Sequence, residues 1–262
     1  MAKWLVAVLA LVALASSPGA ASAVEPPVGM SDSPCPAPQP GQFALDDHTL
    51  STDWAWQCRY RADNARVDSQ HPPRVVFIGD SITENWLTAD PEFFAHGNLA
   101  RGISGQTSPQ VLVRFYQDVV ALHPRVVHIM VGTNDIAGNT GPTNPEAYQN
   151  AVRAMVDLAR ANHIVVILGS IPPSVQFGWQ PAVNPGPWVA RLNAWLKDYA
   201  KSAGMAYADY HTALAGPAGE LPAEFGPDGV HPNAAGYAVM HGVAERAIAE
   251  AEKRARKLHR SD

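Results

Sequence analysis

Between residues 74 and 208, short unbroken apolar runs alternate with segments whose apolar residues recur every three or four positions. Arg74 to Ile78 is short, β-branched and stopped by Gly79, which predicts a buried strand. A second short strand is expected near Asn98 to Arg101. Val111, Leu112, Phe115, Val119 and Leu122 then fall at helical spacing, and Pro124 ends that helix. Val126 to Val131 predicts the next strand. Asn144 is placed to cap a helix with Pro145 at its first position, and Tyr148, Val152, Met155, Val156 and Ala159 line one face of it. Ile164 to Leu168 is a strand. Leu192, Trp195, Leu196 and Tyr199 mark a helix closed by Gly204, and Met205 to Ala208 is a short strand. A final long helix starts at or just after Asn233.

Strands alternating with helices imply parallel pairing through right-handed crossovers. Both faces of such a sheet are covered, which explains why the strands are apolar throughout. The fold class expected is therefore α/β, with a parallel five-stranded sheet between two helical layers, over residues 74–250. Upstream, Asp53 to Val67 has a helical pattern, and residues 24–42 are rich in Pro, Ser and Gly without periodicity, as in an extended arm.

The first 23 residues have the makeup of an export signal. Lys3 precedes an apolar run from Leu5 to Ala15, too short to span a bilayer, and Ala21-Ser22-Ala23 offers small residues for cleavage. The expectation is an exported chain, periplasmic or extracellular, with no stable membrane insertion after cleavage. The two cysteines, Cys35 and Cys58, suit a disulfide in that compartment. The composition is globular, with 47% hydrophobic and 16% charged residues. A net charge of −5 without a basic stripe in the domain argues against nucleic acid as partner. Basic residues gather only at 251–262, a C-terminal tail closing the last helix.

In open parallel sheets, chemistry lies beyond the carboxyl ends of the strands. Four polar clusters stand out. Gly79-Asp80-Ser81, Arg101-Gly102-Ile103-Ser104-Gly105 and Gly132-Thr133-Asn134-Asp135 each follow a predicted strand, and Asp228-Gly229-Val230-His231-Pro232-Asn233 precedes the last helix. A serine hydroxyl needs a base within hydrogen-bond reach to become a nucleophile. His231 can be that base, and Asp228, three residues earlier, can hold its other ring nitrogen. A tetrahedral oxyanion then needs donors. The candidates are the Ser81 N–H at a strand-to-helix junction, the Gly105 N–H and the Asn134 side-chain amide.

In their order, these four blocks resemble those of the SGNH hydrolases, the GDSL esterase and lipase family, over about residues 74–245. The resemblance implies a flavodoxin-like sheet and no cofactor. It implies Ser81 as nucleophile, His231 as base and Asp228 as its orienter. It also implies an oxyanion hole of Ser81, Gly105 and Asn134. The expected activity is hydrolysis of short acyl esters, with O-acetyl groups on carbohydrate as one substrate class. Longer acyl chains, as in a lysophospholipase or aryl esterase, are the alternative. A metal-dependent phosphoesterase using Asp80, Asn134, Asp135 and His231 is a remote one, since it leaves Ser81 idle.

The chemistry leaves Asp80 and Asp135 no direct task, so both are expected to brace loops by accepting backbone N–H bonds. His128 lies within a strand and is expected to be a satisfied core histidine. Arg101 is divided between touching substrate and a structural ion pair. The stretch from Ile171 to Trp188 is rich in proline and aromatics and should overhang the sheet edge, where Phe177 and Trp179 are candidate substrate contacts. Trp86, a little over one turn past Ser81, is another.

Overall fold

A computed structural model describes Cys35 and residues 51–258. The chain divides into two units, residues 1–36 and 37–262, and the description below concerns the second. The expected export signal and most of the extended arm lie outside the described residues.

Five strands form one parallel sheet: β1 (Val75–Gly79), β2 (Asn98–Gly102), β3 (Val126–Met130), β4 (Val165–Gly169) and β5 (Ala206–Ala208). Their order across the sheet is β2-β1-β3-β4-β5. The helices are α1 (Arg61–Asn64), α2 (Ser81–Ala89), α3 (Pro91–Ala95), α4 (Ser108–Asp118), α5 (Thr133–Ala137), α6 (Pro145–Ala161), α7 (Gly186–Ser202), α8 (Tyr210–Leu214) and α9 (Ala234–Leu258). This is the α/β fold expected, with strand boundaries shifted by a residue or two.

Side chains alternate across a strand, so each strand feeds two cores. Val75, Phe77, Met130 and Ile167 face a layer built from α2, α3 and α9, including Trp86, Phe93, Tyr237 and Ile248. Val76, Ile78, Ile129 and Leu168 face the other layer, where Val111, Phe115, Val152 and Leu196 come from α4, α6 and α7. Every residue of β1, β3 and β4 is buried, so none of these strands has a solvent face that would call for polar residues.

The connectivity also fixes where a ligand can sit. From β1 the chain passes to β2 on one side, then crosses back to β3 on the other. The crossovers diverge between β1 and β3, and a crevice opens at the carboxyl ends of these strands. Gly79-Asp80-Ser81 and Gly132-Thr133-Asn134 both lie there.

Three readings of local structure need correction. The stretch 53–67 is mostly turns, with helix only at Arg61–Asn64. The Asp53 carboxylate accepts from the N–H groups of Gln57 (2.8 Å) and Cys58 (2.9 Å), and Trp56 takes a φ of 47°, which an α-helix cannot contain. The apolar spacing there reflects packing of Trp56 and Tyr60 on Ile103 instead. The helix expected to reach Leu122 is α4 followed by a separate 3₁₀ turn, Val120–Leu122. The basic stretch read as a tail forms the last turns of α9 as far as Leu258. Both cysteines, Cys35 and Cys58, are disulfide-bonded.

His128 sits in the middle of β3, packed 4.7 Å from the Phe77 ring. It is only half satisfied. Nε2 pairs with the Tyr210 hydroxyl at 2.9 Å, while Nδ1 is buried without a partner. Burial lowers its pKa from 6.5 to about 3. The unfolded chain therefore takes up a proton on this residue between pH 6.5 and about 3 that the folded chain refuses, so stability falls with pH across that window. Asp80 and Asp135 act in the opposite sense. Burial raises them from 3.8 to about 7 and about 6, so their contribution is full below pH 3.8 and is lost as pH rises through those values. His128→Phe should remove the acid-side loss alone. Between pH 6.5 and pH 5 the unfolding free energy of this variant should rise relative to the parent's by up to about 1.4 kcal/mol per pH unit as pH falls. A difference that does not change with pH would refute the assignment.

Candidate active site

Ser81 is the first residue of α2, directly after β1. Asp80 caps the helix, its Oδ1 accepting from the Ile82 N–H at 3.0 Å. The serine hydroxyl is thereby held at the positive end of a helix, in the crevice between β1 and β3. Its Oγ lies 2.9 Å from His231 Nε2, a residue 150 positions away in sequence. His231 Nδ1 lies 2.7 Å from Asp228 Oδ2. The other Asp228 oxygen accepts from the backbone N–H groups of Val230 (2.9 Å) and His231 (2.8 Å).

That local turn, with Gly229 at φ 74°, is why an acid three residues before the histidine reaches its ring. Burial works to raise the Asp228 carboxyl, but the bonds from His231 and Val230 outweigh it and hold its pKa below the ordinary value. An acid kept ionised on Nδ1 leaves Nε2 free to accept a proton from Ser81. The Asp228 side chain is 55% exposed and that of His231 31%, so solvent reaches the acid end of this chain of groups.

The remaining blocks follow β2 and β3, the two strands that flank β1. Asn134 is buried in α5, its Nδ2 donating to the Gln106 carbonyl at 3.1 Å. Gly105 has a φ of 79°, and a Cβ there would meet nothing within 4 Å, so this backbone fronts open space. Gly102 serves a different need. A Cβ on it would lie 2.2 Å from the Glu84 nitrogen, so only glycine lets β2 approach α2 this closely.

Side chains outside the predicted set hold this loop in place. Glu84 Oε2 accepts from the Ser104 N–H (2.7 Å) and hydroxyl (2.6 Å). The Gln106 side chain donates to the Ala55 carbonyl at 2.7 Å, and Tyr60 O–H donates to the Gly102 carbonyl. Asp135 behaves as the brace expected, both its oxygens accepting from Ser108. Sequence reasoning missed Glu84, Gln106 and Tyr60. Each acts through a partner remote in sequence, and no local motif marks them.

Three of the four candidate substrate contacts are not at the surface. Trp86 is fully buried, stacked between Phe93 and Tyr237 in the core. Its helical offset from Ser81 turns it under the sheet, away from the crevice. Arg101 is 4% exposed, bonded to Asn64 Oδ1 (2.8 Å) and the Ala100 carbonyl, with Tyr60 under its guanidinium. Phe177 is buried with Ala137 and Val230, pinning the proline-rich loop to the site. Trp179 alone of the four faces solvent, 43% exposed, stacked on Phe177 and 6.4 Å from the His231 ring. A cleft of about 310 Å³ runs beside it, lined by Val175, Gln176, Gly178, Leu221 and the outer edge of Asp228 rather than by Ser81. Among the described residues no three His, Cys, Asp or Glu side chains are gathered as a metal site needs. The carboxylate oxygens of Asp135 are already taken by Ser108.

The model of the GDSL-like lipase/acylhydrolase family matches residues 77–239, a span that holds every block of the site. The chain belongs to this family. It is therefore a hydrolase of the acylhydrolase type. An assigned acylhydrolase from Bacteroides fragilis is 43% identical, superposes with a TM-score of 0.72, and is matched over 76% of this chain and 98% of its own. A GDSL-like lipase from Bacteroides thetaiotaomicron is 38% identical, with a TM-score of 0.73 and coverage of 76% and 100%. An acetylxylan esterase from Geobacillus stearothermophilus, 22% identical with a TM-score of 0.55 over 66% of this chain and 93% of its own, shares the fold. Among curated proteins nothing matches this family member.

Proposed function

We propose that this acylhydrolase is a serine esterase of short acyl esters that works through a covalent acyl-enzyme. The observation that carries the reading is the run of contacts from Ser81 Oγ to His231 at 2.9 Å and from His231 to Asp228 at 2.7 Å. In this reading His231 Nε2 takes the Ser81 proton as Oγ attacks the ester carbonyl. The negative charge that develops is received by the Ser81 and Gly105 N–H groups and by the Asn134 amide. The imidazolium, held by Asp228, returns its proton to the leaving alcohol. Water then repeats the sequence on the acyl-enzyme.

Trp179 supports a leaving group with a flat apolar face, as a pyranose ring has. Its half-exposed indole stands 6.4 Å from the ring of His231, the group that protonates the leaving alcohol in this reading. We therefore propose O-acetylated carbohydrate as the substrate class. Export of the chain belongs to the same proposal, supported by the bonded state of both cysteines and by the apolar leader.

Initial rates on p-nitrophenyl esters of two to twelve carbons, set against acetylated xylo- and chito-oligosaccharides, test the substrate. The kcat/KM should be highest at two to four carbons and should be exceeded by at least one acetylated oligosaccharide. A rate that climbs with chain length would replace this substrate class with a lipid ester.

A further inference from the structure

We propose that Asn139 is a positioning residue that transmits the polarity of the Trp179 indole to Asn134, and so keeps the Asn134 amide N–H aimed at the oxyanion. The inference rests on the catalytic reading above and extends it to two residues outside the triad and the hole.

An amide side chain can be turned end for end at little steric cost, so its orientation is set by its partners. An Asn134 turned the wrong way would point its carbonyl oxygen at the developing negative charge. What prevents this is a chain of three bonds. The Trp179 Nε1–H donates to Asn139 Oδ1 at 3.1 Å. Asn139 Nδ2 donates to Asn134 Oδ1 at 2.8 Å. Asn134 Nδ2 donates to the Gln106 carbonyl at 3.1 Å, and in the proposed mechanism its second hydrogen serves the oxyanion. An indole nitrogen is a donor only, so the direction of the first bond is fixed. That fixes Asn139, and Asn139 fixes Asn134. At the far end the Gln106 carbonyl is an acceptor only and demands the same direction.

Local structure explains how residue 139 comes to lie over residue 134. Gly138 ends α5 in the left-handed region, and the chain folds back so that the Asn139 N–H donates to the Asn134 carbonyl at 3.1 Å. Asn139 Nδ2 also lies 3.4 Å from the Gly105 carbonyl, so the same side chain spans two walls of the hole. Trp179 thus has two tasks. Its ring lies beside His231, and its N–H orients the oxyanion donor.

The test separates the two tasks by kinetics on p-nitrophenyl acetate. Asn139→Asp keeps the shape but offers only acceptors to Asn134 Oδ1. It should lower kcat by about 10- to 100-fold and leave KM within about twofold, a smaller loss than the 10²–10³-fold typical of deleting an oxyanion donor. Trp179→Phe keeps an aromatic face and removes the N–H. It should lower kcat several-fold, with any loss of ring contact appearing in KM, and its half-exposed position makes it a variant that folds whether or not Asn139→Asp does. In an Asn134→Ala background neither change should lower kcat further, because the group they orient is gone. Losses of kcat that persist in that background, or single variants at full kcat, overturn the proposal while the esterase reading stands. Absence of ester hydrolysis in the unaltered protein, with no labelling of Ser81 by a fluorophosphonate, overturns both.

Discussion

Ser81→Ala should lower kcat toward a short acyl ester by about 10⁴-fold or more with no change in the folded structure. In the proposed mechanism the Ser81 hydroxyl, 2.9 Å from His231 Nε2, is the nucleophile, and its removal leaves the imidazole nothing to activate but water. Asn134, Gly105 and the α2 N-terminus remain, so a residual rate above the uncatalysed one is expected from oxyanion stabilisation alone. His231→Ala should cost about as much, and the double variant little more than either, because the two act as one unit. Asp228→Asn should cost less. Its side chain is half exposed, so water can partly replace it on Nδ1. Initial rates checked by active-site titration decide the matter, since a trace of unaltered enzyme would mask a 10⁴-fold loss. A Ser81→Ala rate within tenfold of the parent would remove Ser81 as nucleophile.

The second large effect is on stability. Arg114 and Asp118, one turn apart on α4, form an ion pair that is almost completely buried, at 0% and 1% exposure. Arg114 also donates to Gln106 Oε1 at 2.6 Å and to the Gly79 carbonyl at 2.9 Å. It therefore ties the end of β1, where Ser81 begins, to the loop that carries Gly105. Arg114→Met should destabilise the protein by about 3–5 kcal/mol, because it strands the Asp118 charge and two further acceptors without water. Asn64 Nδ2, 2.7 Å from Asp118, is a neutral donor and cannot replace the lost charge. The double variant Arg114→Met with Asp118→Leu should recover much of the loss, since the penalty lies in the unpaired charge. Denaturant unfolding at constant pH measures both. A single variant within about 1 kcal/mol of the parent would show that the pair contributes little.

Much of this was legible in the chain. The strand cores could be read because β1, β3 and β4 are buried on both faces, and burial of that kind favours apolar residues, with His128 the exception in β3. The cap at Asn144 and the start of the last helix at Asn233 were equally plain, since an unpaired helix N-terminus favours such side chains. The Asp228–His231 contact was readable because it is made within a single turn. Ser81 and Asn134 could be placed at the crevice because each directly follows a strand.

Other features needed the tertiary structure. Trp86 and Arg101 have the residue types of a binding site, yet packing turned one into the core and closed Tyr60 over the other. The periodicity of 53–67 suggested a helix, but the Asp53 carboxylate took the N–H groups that a helix would have used. Asn139 was invisible because its role depends on partners at 134 and 179, brought together by the end of α5 and a proline-rich loop. Local sequence determined the elements, the caps and the chemistry available at the strand ends, because these depend on contacts within a few residues or on burial alone. The tertiary structure decided which polar groups meet across the crevice and which way each amide points. Hydrogen-bond direction is set by partners far apart in the chain, and no local pattern records it.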